Sequence, residues 1–137
     1  MNAGIRTSQT NLSYFSLYQA EVSPACVAHP SSSSQVAVIV QMQCKFAVRS
    51  GGHMAWSGAS SAHAPGITID LAELKDVEYN EGTKLATFGA GLRWRDVYHH
   101  LSEHNRTVQG ARNLDVGVGG FLIGGAGFRC GVVARVS

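Results

Sequence analysis

No block or stripe of like charge occurs in this chain. Eleven basic and nine acidic side chains are spread along its 137 residues and leave a net charge of +2. That balance argues against nucleic acid or a membrane surface as the main partner. No run approaches the roughly 18 apolar residues of a membrane span. The N-terminus, Met1 to Thr10, is polar and lacks the apolar stretch of a secretion signal, so the compartment is left open, with intracellular as the default. Two glycosylation sequons, Asn11-Leu12-Ser13 and Asn105-Arg106-Thr107, would matter only in a secreted protein. Cysteine is sparse as well. Cys26, Cys44 and Cys130 sit at no metal-ligand spacing, their odd count disfavours a disulfide framework, and the expectation is buried thiols. Two phosphate-binding signatures are also missing. Gly117-Val118-Gly119 and Gly89-Ala90-Gly91 both lack the third glycine of G-x-G-x-x-G, which removes the dinucleotide Rossmann reading. No G-x-x-x-x-G-K-S/T occurs, which removes a P-loop.

What the chain has in excess is glycine. There are 16 glycines, eight of them between Gly110 and Gly131, against a usual share of about 7%. This clustering points to a ligand rather than to disorder, because Val116, Val118, Phe121, Leu122 and Ile123 supply a face to bury. The only biased tract, Ser31 to Ser34 after Pro30, reads as a loop ending in a helix cap. A chain of this length suggests one domain with a core.

Hydrophobic periodicity gives a coarse map. Leu12 to Ala20 has the spacing of a short helix, and Ala25 to Ala28 is a short extended run closed by His29-Pro30. Gln35 to Met42 is ambiguous: a serine cap precedes it, yet Val36-Ala37-Val38-Ile39-Val40 is so rich in β-branched residues that propensity alone favours a buried strand. Lys45 to Val48 and Ile67 to Leu71 are cleaner strands, the second after a Pro65-Gly66 turn. Asp76 to Asn80 and Lys84 to Phe88 read as a hairpin. After Gly91 the period becomes helical, with Trp94, Val97, Tyr98 and Leu101 on one face and an end near Asn105.

Two glycine-rich stretches stand out as walls of one candidate site. The first is Arg49-Ser50-Gly51-Gly52-His53, with Met54 after it. The second is Gly117-Val118-Gly119-Gly120 leading to Gly124-Gly125-Ala126-Gly127. Glycine has no Cβ and visits positive φ cheaply, so paired glycines let main-chain N–H groups approach a bulky anion such as a pyrophosphate. Arg49 fits either a second role near that pyrophosphate or a solvated charge at a strand end.

In this order, with Gly58, Thr68-Ile69-Asp70-Leu71 and Gly89-Ala90-Gly91 between them, the two stretches resemble the FAD-binding domain of the berberine-bridge-enzyme-like and vanillyl-alcohol-oxidase families of flavoprotein oxidases. The resemblance runs roughly from Tyr14 to Gly127 and implies a PCMH-type FAD-binding domain. It also implies FAD bonded through a ring nitrogen of His53 to the flavin 8α-methyl carbon, which raises the flavin potential, and a flavin-contacting turn opening a short helix at Gly117. The implied cofactor-binding residues are Arg49, Ser50, Gly51, Gly52, His53, Met54, Gly117, Gly119, Gly120, Gly124, Gly125 and Gly127. Some relatives carry a second, cysteinyl bond just before the Gly117 run. Asn113-Leu114-Asp115-Val116 stands there in this chain, so attachment through the histidine alone is expected.

A rival sits on the predicted helix. His100-Leu101-Ser102-Glu103-His104 matches the inverted zinc-peptidase pattern H-x-x-E-H. No carboxylate is placed as a third ligand, and no metal site is expected. The end of the chain also departs from the family: Phe128 to Ser137 matches poorly and then stops, as in a truncated product. The reading is therefore an incomplete α+β domain of small mixed sheets with flanking helices. Its parts are an N-terminal segment with a short helix over 1–20, a partial FAD-binding domain over 21–127 and an atypical tail over 128–137. The implied activity is that of an FAD-linked oxidoreductase of secondary metabolism, passing hydride from a small organic substrate to flavin that oxygen reoxidises. The alternative is a non-catalytic product with no catalytic residue of its own.

Overall fold

A computed structural model describes residues 5–8, 13–125 and 134–136. In chain order the elements are β1 (Arg6–Ser8), α1 (Leu17–Ala20), β2 (Cys26–His29), α2 (Ser33–Gln41), β3 (Phe46–Arg49), β4 (Ile67–Asp70), β5 (Val77–Asn80), β6 (Leu85–Phe88), α3 (Trp94–Glu103), α4 (Val118–Ile123) and β7 (Ala134–Val136). A short 3-10 turn, Leu71–Glu73, follows β4.

Two small sheets organise these elements. One has the order β1-β2-β4-β3 and the other β5-β6-β7. In the first, β1 runs antiparallel to β2, while β2 and β3 both run parallel to β4. Parallel neighbours cannot be joined by a tight turn and need a long crossover. Here the crossover between β2 and β3 is α2. Its face is narrow: Ile39 packs with Ala28 and Ile69 over the sheet.

The run Val36 to Val40 is therefore helical, not the buried strand that its β-branched composition favours. Local capping and topology override propensity. The Ser32 hydroxyl accepts from Gln35 N at 3.3 Å, and the Gln35 side chain accepts from Ser31 N at 2.8 Å, so the helix start is held from both directions. Of the branched residues only Ile39 is fully buried; Val38 and Val40 remain exposed. A second expectation also needs correcting: Cys44 is exposed and Cys26 only half-buried, so neither is a fully buried thiol. Cys44 lies in the turn that follows α2, beyond the sheet's cover. Cys130 lies outside the described residues.

The second core joins β6, α3 and α4. Phe88, Trp94, Val97, Leu101 and Val118 meet there. The stripe Trp94, Val97 and Leu101 is the buried face of α3, as its period requires. Asp96 closes the first turn by accepting from Arg93 N at 3.1 Å. The hairpin β5–β6 pairs antiparallel from Val77 with Phe88 to Asn80 with Leu85. Among the described residues no helix is long and apolar enough to cross a membrane.

Candidate functional site

Strand β3 delivers the first wall. Its last residue, Arg49, stands opposite Asp70 at the end of β4. That register sets a buried ion pair, Arg49 Nη1 to Asp70 Oδ1 at 3.0 Å, with both side chains almost wholly removed from water. Arg49 Nη2 donates to the Ser13 carbonyl at 2.6 Å, and the guanidinium lies 5.1 Å from the centre of the Tyr14 ring. Asp70 also accepts from Ala72 N at 3.3 Å and faces His29 Nδ1 at 3.6 Å. Arg49 is thus no solvated charge. Its guanidinium is committed behind the loop, anchoring residues 13 and 14 to the sheet. Burial pushes the Tyr14 phenol above its ordinary pKa, and its hydroxyl donates to the Ser60 carbonyl at 3.2 Å.

The chain then turns through Ser50-Gly51-Gly52. Ser50 Oγ donates to the Ala90 carbonyl at 2.6 Å and ties this loop to the turn between β6 and α3. Gly51 and Gly117 lie back to back: a Cβ on either would run into the other's backbone. The two glycine walls therefore meet along this line, and these two glycines serve the wall-to-wall contact. Gly52 has φ +65, and a Cβ there would lie 2.9 Å from the Tyr14 ring. The second wall is fixed by Val118 N donating to Leu92 O at 2.8 Å and Trp94 N donating to Val116 O at 3.0 Å.

Between the walls opens a cleft of ≈ 390 Å³, inside the range of roughly 300–1,000 Å³ typical of small-molecule sites. The structure brings Ser50, Gly51, Gly52, His53 and Met54 together with Gly117, Gly119 and Gly120 around it. Arg49, Gly124 and Gly125 do not line it, and Gly127 lies outside the described residues. Phe121, Ile123, Ala90 and Leu71, with Val48, Ala59 and Val116, give it an apolar character, and Ser60 completes the lining. The first two sit in the apolar run within the glycine cluster, a signal read in the sequence as burial. Ala90 is visible in the sequence only as the middle of Gly89-Ala90-Gly91, and Leu71 only as the end of Thr68-Ile69-Asp70-Leu71.

His53 is half-buried at the junction of this cleft with a second hollow of ≈ 250 Å³ lined by Tyr14, Phe15, Arg93, Asn113 and Asp115. Its ring stacks on Phe15 with centroids 4.1 Å apart and planes 13° from parallel. Its Nε2 is buried without a hydrogen-bond partner. Gln19, Arg49 Nε, Ser60 Oγ and Trp94 Nε1 also bury polar atoms without a partner, so this feature is not peculiar to His53.

The H-x-x-E-H pattern has a different fate. Helix α3 ends at Glu103, and His104 is its cap, with φ −97 and ψ 8. His100 Nδ1 lies 4.0 Å from Glu103, while the His104 ring leans on Tyr79 with centroids 5.0 Å apart. Among the described residues no group of three or more His, Cys, Asp or Glu side chains is arranged to hold a metal ion. Metal analysis of the dialysed protein is expected to find no stoichiometric zinc. One equivalent that disappears in His104→Ala would contradict this.

Comparison with known proteins settles the family. Residues 24–135 match the model of the FAD binding domain. The chain belongs to that family. Among its relatives, the FAD-dependent monooxygenase tpcD of Cochliobolus heterostrophus is 43% identical over 116 residues, which are 82% of this chain and 22% of the relative. The FAD-dependent monooxygenase FUP4 of Fusarium proliferatum is 42% identical over the same shares. The chain thus spans under a quarter of the length of these relatives. Among solved structures, Acremonium strictum glucooligosaccharide oxidase superposes with a TM-score of 0.69 at 23% identity, covering 85% of this chain and 26% of that one. Physcomitrella patens BBE-like 1 superposes with a TM-score of 0.68 at 22% identity, covering 84% and 27%. At these identities the likeness shows the fold alone. That fold is part of a PCMH-type FAD-binding domain, and the cofactor of the domain is FAD. The residues present fit it: the His53 ring borders a largely apolar cleft, and a Cβ at Gly120 on the rim would meet no heavy atom within 4 Å.

Proposed function

We propose that this chain is the FAD-holding portion of an FAD-linked oxidoreductase that attaches its flavin covalently through His53. The observation that carries the reading is the placement of the His53 ring on the lining of the cleft between the two glycine walls. When bound, FAD supplies two-electron oxidation of a small organic substrate, with oxygen as the final acceptor. The chain's own groups hold and orient. Gly51 and Gly117 set how closely the walls approach, and Ser50 locks the histidine loop to the Ala90 turn. Gly120 keeps the rim of the cleft open.

Support for covalent attachment comes from a structural neighbour. Glucooligosaccharide oxidase from Acremonium strictum holds a 6-S-cysteinyl, 8α-N1-histidyl FAD. Here Asn113 stands ahead of the second wall and borders the hollow beside His53. Among the described residues Cys26 and Cys44 both lie away from the cleft lining. Attachment is therefore through the histidine alone. The relatives named as FAD-dependent monooxygenases favour an oxygen-linked reaction, and secondary metabolism is the setting that the family resemblance suggests.

The test is a titration of flavin-free protein with FAD, followed by quenching of flavin fluorescence, in wild type and Gly120→Phe. Because Gly120 lines the cleft and a Cβ there meets no heavy atom within 4 Å, the new ring is expected to occupy the cleft mouth without displacing core. FAD affinity is expected to fall at least about tenfold. Unchanged affinity in a folded variant would place the flavin elsewhere.

A further inference from the structure

The geometry points to Phe15 as the positioning residue for His53, holding the imidazole in the one orientation from which its nitrogen can be joined to the flavin. This rests on the covalent reading above. No motif singles out Phe15, and it lies 38 positions before the histidine in the chain. Yet residues 13–16 form a strap fastened to the loop at successive points. Arg49 Nη2 holds the Ser13 carbonyl at 2.6 Å, Tyr14 OH donates to Ser60 O at 3.2 Å, and Ser16 Oγ donates to Ala55 O at 3.1 Å. Between them, Phe15 N donates to the Gly52 carbonyl at 3.1 Å, so the main chain directly before His53 is clamped to the main chain of Phe15. The two rings then stack, 4.1 Å apart and 13° from parallel.

Burial does not account for that stack. Phe15 is 67% exposed, a poor position for a core aromatic. A large apolar ring kept mostly in water, with its backbone pinned beside the histidine, acts through what its buried face touches. It closes one face of the imidazole and blocks rotation of the ring about its bond to Cβ, so the ring is held in one orientation at the edge of the cleft. Attachment demands such alignment, since reaction needs the two atoms held in contact along a defined direction. In that reaction one N–C bond forms while the imidazole N–H and one C–H of the 8α-methyl group break. Both hydrogens leave as protons, the electron pair passes into the isoalloxazine, and dioxygen finally accepts it.

The experiment mixes flavin-free protein with FAD in air and quenches samples in acid over time. Flavin carried into the protein precipitate is then measured for wild type, Phe15→Ala, Phe15→Leu, Phe15→Tyr and His53→Ala. Losing one aromatic stack is expected to slow attachment roughly 2- to 10-fold in Phe15→Ala, with Tyr restoring the wild-type rate and Leu, which has bulk but no flat face, failing to. A second readout needs no flavin. The His53 ring protons, lying over a phenyl face, are expected upfield in the NMR spectrum of wild type and Phe15→Tyr, and shifted back in Phe15→Ala and Phe15→Leu. Attachment at the wild-type rate in Phe15→Ala, or full rescue by Phe15→Leu, overturns the positioning role while leaving His53 as the attachment point. Attachment in His53→Ala, or none in wild type, overturns the covalent reading and the positioning role with it.

Discussion

Asp70→Ala is expected to lower the unfolding free energy by about 3–5 kcal/mol, the loss seen when one partner of a buried ion pair is removed. Arg49 would then keep its charge in a place almost closed to water, with only the Ser13 carbonyl and the face of Tyr14 to stabilise it. A domain of this size is stable by only about 5–15 kcal/mol, so the change amounts to a large part of the total. It also reaches the candidate site. Arg49 holds the strap at Ser13 and ends the strand from which the Ser50-Gly51-Gly52-His53 loop departs. Denaturant titration by circular dichroism reads the loss directly. Arg49→Met combined with Asp70→Ala should recover much of it, because replacing both charges removes the desolvation cost along with the attraction. A single Asp70→Ala variant within about 1 kcal/mol of wild type would show that the pair is solvated and contributes little.

That ion pair illustrates where the sequence is legible and where it is not. Arg49 and Asp70 both fall inside recognisable strand motifs, but their pairing depends on β3 and β4 being parallel neighbours in register, which no local pattern encodes. The strands themselves, the β5–β6 hairpin and helix α3 follow from alternation, turn residues and the 3.6-residue stripe of Trp94, Val97 and Leu101. Helix α2 is the opposite case: Val36, Val38, Ile39 and Val40 carry a strand-like composition, and the crossover between parallel strands together with the Ser31–Ser32 cap decides otherwise.

For the site, both glycine walls and His53 are visible in the sequence because the Gly-Gly-His run stands in order with Gly58, Thr68-Ile69-Asp70-Leu71 and the second glycine stretch. Their individual roles are not visible. Gly51 and Gly117 admit each other's backbone, whereas Gly120 faces open space, a distinction that needs the third dimension. Phe15 is hidden for a related reason. Its effect comes from a strap held by hydrogen bonds to Gly52, Ala55 and Ser60, and tertiary contacts of that kind leave no trace in spacing.

The account stands on His53 as the covalent anchor. Its ring borders the cleft and is stacked on one face by Phe15. Removing the histidine is expected to abolish attachment completely rather than weaken it, since His53 is the one attachment point proposed. Reversible FAD binding in the cleft should persist, because the glycine walls and Ser50 are untouched. The direct measurement is acid precipitation of FAD-loaded wild type and His53→Ala, with flavin absorbance read in pellet and supernatant. Flavin in the wild-type pellet and only in the His53→Ala supernatant is the predicted result; flavin that stays in the His53→Ala pellet would contradict it.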